Sequence, residues 1–117
     1  MLLSDVSALL GCEVMGDGAG LHHLDVEICF AADLMSEVLA FCPPRALLIT
    51  GLASVQAVHT ADMADLCAIL FVNDKRPAPP VLALAAERGM PLLSTKLGMF
   101  AACGELHRHG LKPASRT

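Results

Sequence analysis

Three short stretches carry side chains that can handle an anionic group. Thr50-Gly51 closes one apolar run, Ser94-Thr95-Lys96 closes another, and Asp33 precedes Ser36 by three positions. Hydroxyls, backbone N–H groups freed at a glycine turn, and one lysine are the donors a phosphate requires. Each stretch also has a purely structural reading: Gly51 makes a tight turn, Ser94 or Thr95 caps a helix, and Lys96 is solvated. Caps occur at most helices and phosphate sites at few, so the structural reading carries more weight. Asp33 with Ser36 either positions a cation or a ligand hydroxyl, or caps a helix and fills its first turn; the cap is the simpler account.

The remaining polar groups form no reactive set. His22, His23 and Asp25 are metal-ligand types, but neighbours in an extended segment point to opposite faces and no further ligand clusters with them. His59 and Asp62 stand one helical turn apart, whereas His107 and His109 point in different directions; neither pair completes a triad with an activated nucleophile. Lys75-Arg76 is a basic pair of the kind that is most often solvated. No glycine stands at the G-x-x-x-x-G-K-[ST] spacing of a phosphate-cradling loop. The sequence therefore nominates no catalytic residue, metal site or cofactor.

The elements that must position these residues follow a regular beat. Ala46 to Thr50 and Cys67 to Val72 are short apolar runs separated by an amphipathic segment from Ser54 to Asp65. Such runs suit strands buried on both faces and joined by a right-handed crossover, which implies a parallel sheet. Ser4 is expected to cap a helix to Leu10, stopped by Gly11, with a strand at Cys12 to Met15. Gly16-Asp17-Gly18-Ala19-Gly20 reads as a turn, and Asp25 to Phe30 as a strand. Asp33 is placed to cap a helix through Cys42, ended by Pro43-Pro44. In the central helix Val55, Val58, Ala61 and Leu66 mark the buried stripe. Pro79-Pro80 open another helix that Gly89 stops, Leu92-Leu93 form the last strand, and Ser94 or Thr95 caps a final helix ending near Gly110. One domain over residues 1–111 and a flexible tail over 112–117 are expected.

Composition bounds the function. A chain of 117 residues suits a single domain. Apolar residues make up 55% and charged residues 17%, with a mean hydropathy of +0.59. So little charge for the surface to be covered points to a homo-oligomer, most simply a dimer. A net charge of −4 and four Phe without Tyr or Trp argue against nucleic acid. The five cysteines show no C-x-x-C pair and read as reduced core thiols. Neither a signal peptide nor an apolar stretch of about 18 residues is present, so no membrane role and a cytoplasmic location are expected.

The succession Phe30-Ala31-Ala32-Asp33-Leu34-Met35-Ser36, Leu48-Ile49-Thr50-Gly51-Leu52, Thr60-Ala61-Asp62-Met63-Ala64-Asp65, Phe71-Val72-Asn73-Asp74-Lys75-Arg76-Pro77 and Pro91-Leu92-Leu93-Ser94-Thr95-Lys96 resembles a stand-alone DRTGG-domain protein over nearly the whole chain. The resemblance implies an α/β/α sandwich with a mostly parallel sheet, similar to the N-terminal domain of HPr kinase/phosphorylase. It also implies a regulatory role, since such domains accompany CBS domains or lie within phosphotransacetylases. The Asp-Arg and Thr-Gly-Gly that name the family are replaced: Leu52-Ala53 follow Gly51, and Val72-Asn73-Asp74 close the next strand. Two functions are expected from this. The first is a non-catalytic regulatory or protein-interaction module that senses a small phosphorylated metabolite or nucleotide. The alternative is a small phosphoryl-transfer enzyme or HPr kinase-related protein. A ligand site is expected where Thr50, Gly51, Ser94, Thr95 and Lys96 emerge, with Asp33 and Ser36 beside it.

Overall fold

A computed structural model describes residues 1–16, 18 and 20–114. In chain order the elements are α1 (Leu3–Leu10), β1 (Glu13–Met15), β2 (Ile28–Ala31), α2 (Met35–Phe41), β3 (Leu47–Thr50), α3 (Val55–Met63), β4 (Ala68–Phe71), α4 (Pro79–Arg88), β5 (Leu92–Ser94), α5 (Met99–Arg108) and β6 (Lys112–Pro113). The strands form one sheet in the order β1-β5-β4-β3-β2-β6. The chain is thus α/β, and every strand pair is parallel except β1 with β5.

Alternation along the central strands sorts side chains into two cores, because successive residues of a strand point to opposite faces. Leu48, Ile69, Phe71 and Leu92 pack against Met35 and Val38 of α2, Val58 of α3 and Val81 of α4. Leu47, Ile49, Ala68, Leu70 and Leu93 pack on the other face against Leu3 and Val6 of α1 and Leu106 of α5. The result is the expected three-layer α/β/α sandwich. β3 and β4 are buried at every position, which explains why they read as continuous apolar runs. Each fully buried Leu or Ile there contributes about 1.5–3 kcal/mol of transfer free energy.

Helix ends agree with the sequence at the stops more than at the starts. Gly11 and Gly89 both close helices in the left-handed conformation, and Ser54 caps α3 by accepting from the Ala57 amide. Three expected caps are corrected. α1 starts from Leu2, with the Asp5 carboxylate accepting the Leu2 amide at 3.2 Å, so Ser4 lies inside the helix. α2 starts from Leu34 without a side-chain cap, because the Asp33 carboxylate is engaged elsewhere. α5 starts from Gly98, four residues after Ser94; the Ser94 hydroxyl serves the loop carbonyl of Lys75 and the Thr95 hydroxyl the Leu10 carbonyl at the end of α1. Val55, expected in the buried stripe of α3, is 42% exposed, and Ala57 takes its place in the core.

Lys112 and Pro113, assigned to the tail by the sequence, pair with β2 as a two-residue edge strand. The Lys112 amide donates to the Glu27 carbonyl and the Ala114 amide to the Cys29 carbonyl, both at 3.0 Å. An unpaired β2 edge recruits this segment once α5 returns the chain to it. Residues 115–117 of that tail, and Asp17 and Ala19 of the glycine turn, lie outside the described residues.

Candidate functional site

Because β2, β3, β4 and β5 run parallel, their carboxyl ends emerge on one edge of the sheet. Thr50 lies opposite Phe71, and Phe71 opposite Ser94, so these three residues form one row across β3, β4 and β5. Past that row the chain turns at Gly51, at Asn73-Asp74 and at Thr95-Lys96. The crossover topology alone therefore gathers Asp33, Ser36, Thr50, Gly51, Ser94, Thr95 and Lys96 on the carboxyl edge, where open α/β sheets hold their ligands.

The polar groups of this edge are largely satisfied by one another. Asp33 Oδ1 accepts from the Thr50 hydroxyl at 3.0 Å and from the Gly51 amide at 2.7 Å, and Thr50 Oγ1 accepts in turn from the Leu52 amide at 3.1 Å. A carboxylate of the chain itself thus occupies the donors that a phosphate at Gly51 would use. A Cβ at Gly51 would meet Asp33 Oδ1 at 3.6 Å, an ordinary contact.

The second stretch is fixed in a similar way. The Ser94 hydroxyl donates to the Lys75 carbonyl at 2.7 Å. The Thr95 hydroxyl donates to the Leu10 carbonyl at 2.8 Å and accepts from the Leu97 amide at 3.2 Å, which ties α1 to the exit of β5. Ser94 and Thr95 are buried, at 4% and 1% exposure, so these bonds carry structural weight. Lys96 and Ser36 are exposed, and their side chains have no hydrogen-bond or ion-pair partner among the described residues.

Asn73 and Asp74 belong to the same edge, although nothing in their types announced it beyond a tolerance for the left-handed region. Both have positive φ, 61° and 55°, a conformation Asn and Asp adopt at least cost. It aims the Asn73 amide at the Leu97 carbonyl and the Asp74 amide at the Thr95 carbonyl, each at 2.8 Å. The loops after β4 and β5 are clasped together by these bonds. Arg76 is no freely solvated cation: it pairs with Glu13 and, at 3.4 Å, with Asp74.

The other polar candidates are not brought to this edge. Asp62 pairs with Arg88 at 2.6 Å and not with His59. Among the described residues no three His, Cys, Asp or Glu side chains stand where they could hold a metal ion. The five cysteines are all free. Burial pushes the thiols of Cys12, Cys42 and Cys67 up to about 11 and that of Cys29 to about 12, so none is a ready nucleophile. Two surface clefts are lined by none of the seven residues: one of about 80 Å³ between Met15, Leu82 and Met90, and one of about 360 Å³ beside α5.

A three-layer module with a mostly parallel sheet and a hydrogen-bonded carboxyl edge is the class these features define. The model of the DRTGG domain matches residues 5–109, and the chain belongs to that family. In three dimensions it is similar to the crystal structure of the CBS and DRTGG domains of the regulatory region of Clostridium perfringens pyrophosphatase, complexed with the activator diadenosine tetraphosphate. The TM-score is 0.75 at 13% sequence identity, over 90% of this chain and 45% of that one. The chain thus spans under half the length of that structure, and at this identity the likeness speaks for the fold. No curated protein matches the sequence. No helix among the described residues is long and apolar enough to cross a membrane.

Proposed function

We propose that the chain is a non-catalytic regulatory module that senses a phosphorylated metabolite or nucleotide at the carboxyl edge of its sheet and transmits occupancy to a protein partner. The observation that carries this reading is the row Thr50, Phe71, Ser94, which sets the turn at Gly51 and the exposed Lys96 on one edge. Two strand spacings separate β3 from β5, about 10 Å, so one phosphate cannot touch both stretches. An extended ligand can: its phosphates lie at Lys96, and a hydroxyl donates to the Asp33 carboxylate, with Ser36 beside it. That shape favours a nucleotide over inorganic phosphate. The similar pyrophosphatase regulatory region is complexed with the activator diadenosine tetraphosphate, which supports the same reading.

The phosphoryl-transfer alternative is weaker. The hydroxyls of Thr50, Ser94 and Thr95 each donate to a fixed acceptor, and no phosphate-cradling loop precedes a helix. A module of this kind acts in the cytoplasm as a single domain and as a two-fold dimer. Exposed Leu34 at the start of α2, Leu39 on α2 and Met63 on α3 supply apolar surface for association. Light scattering at micromolar concentration should give at least twice the 12.2 kDa chain mass. A thermal-shift panel of AMP, ADP, ATP and acetyl phosphate tests the ligand: a nucleotide should raise the melting temperature more than acetyl phosphate does. A flat panel, or hydrolysis of labelled ATP that a change at Lys96 or Asp33 abolishes, would overturn the proposal.

A further inference from the structure

The two faces of the sheet are unequally covered. Three helices, α2, α3 and α4, pack on one face, and only α1 and α5 on the other. α1 is anchored at β5 through Thr95, and α5 lies against β3. On that side α5 approaches β2 and β6 with Cys103, Leu106 and His107, and a cleft of about 360 Å³ lies between them. This volume falls within the range of small-molecule sites, about 300–1,000 Å³.

Its walls are apolar and its rim is basic. Cys29 of β2 and Ile49 of β3 form the floor, Leu106 of α5 one wall and Pro113 of β6 the other. Among the described residues His107 and Lys112 line it and no carboxylate does, although the chain as a whole carries a net charge of −4. Lys112 is exposed and has no ion-pair partner among the described residues. The His107 ring is held at the rim by Nδ1, 3.3 Å from the Leu111 carbonyl. An apolar slot with the Lys112 ammonium at its mouth complements a ligand with an apolar tail and an anionic head.

We propose that this cleft binds an amphipathic monocarboxylate, a medium-chain acyl anion whose tail lies along Cys29, Ala31 and Pro113, over the buried Ile49 and Leu106, and whose carboxylate pairs with Lys112. The ligand is held without a covalent bond, since the Cys29 thiol, desolvated and beside Cys103, stays protonated. None of the seven carboxyl-edge candidates lines this site, and the proposal does not depend on the nucleotide reading.

The test is a methyl-NMR titration of the full chain with octanoate and, separately, with octylamine, which has the same tail and the opposite charge. Octanoate should shift the Ile49, Leu106 and Leu111 methyl signals saturably, and octylamine should bind about ten-fold more weakly. Lys112→Glu reverses one exposed charge without touching the backbone pairing of β6; it should weaken octanoate about five-fold with an unchanged melting temperature. The proposal is overturned if octanoate gives no saturable shift at these methyls, if octylamine binds equally well, or if Lys112→Glu binds octanoate as the parent does.

Discussion

Asp33 Oδ1 accepts two hydrogen bonds from the exit of β3, one from the Thr50 hydroxyl at 3.0 Å and one from the Gly51 amide at 2.7 Å. The start of the β2–α2 connection is thereby stapled to the central strand. Asp33→Ala should lower stability by about 1–2 kcal/mol, the value of a charge-assisted pair discounted for its exposure. Asp33→Asn keeps an acceptor and should cost less. Urea denaturation measures both, and an unchanged midpoint for Asp33→Ala would show that the staple contributes nothing. The two effects of this carboxylate oppose each other: its removal should also strengthen inorganic phosphate binding at the freed Gly51 amide, as read by isothermal titration.

Thr95 joins α1 to the carboxyl edge through a buried hydroxyl that donates to Leu10 and accepts from Leu97. Thr95→Val keeps the shape and removes both bonds, leaving a carbonyl and an amide without that partner. A loss of about 1–3 kcal/mol is expected. Hydrogen exchange should locate the loosening at the Leu97 amide and the end of α1, and a uniform loss of protection across the sheet would contradict the local role.

The thiols make stability fall in alkali. An ordinary thiol ionises near 9.0, whereas Cys29 is held at about 12 and Cys12, Cys42 and Cys67 at about 11, with desolvation the leading cause in each. The folded state therefore keeps protons that the unfolded chain releases. The contribution to stability is complete below pH 9.0 and is lost as pH rises toward about 11 to 12. Denaturant midpoints should decline over this window, less steeply for Cys29→Ala. An identical slope in parent and variant would remove Cys29 from the account.

The sheet was legible in the sequence because β3 and β4 are buried on both faces and carry a single polar residue, Thr50 at the end of β3. The glycine stops at Gly11 and Gly89 were legible because a left-handed end calls for that residue. The caps were not. Asp33, Ser94 and Thr95 are good cap types, but each found a tertiary partner that no local rule contains: β3 for Asp33, the Lys75 carbonyl for Ser94, and the Leu10 carbonyl for Thr95. The clasp made by Asn73 and Asp74 was hidden for the same reason, since it depends on the neighbouring loop. The basic-rimmed cleft draws on β2, β3, α5 and β6 at once, and β6 itself carried no strand signal in two residues.

The central claim is that an extended phosphorylated ligand binds along the carboxyl edge between Asp33 and Lys96. Amide NMR of the full chain, titrated with ADP for the parent and for Lys96→Ala, tests it most directly. The account predicts saturable shifts at Gly51, Lys96 and Gly98, and affinity about ten-fold weaker in Lys96→Ala, the scale of one charge-assisted contact. Shifts confined to residues away from this edge, or equal affinity in Lys96→Ala, would contradict it.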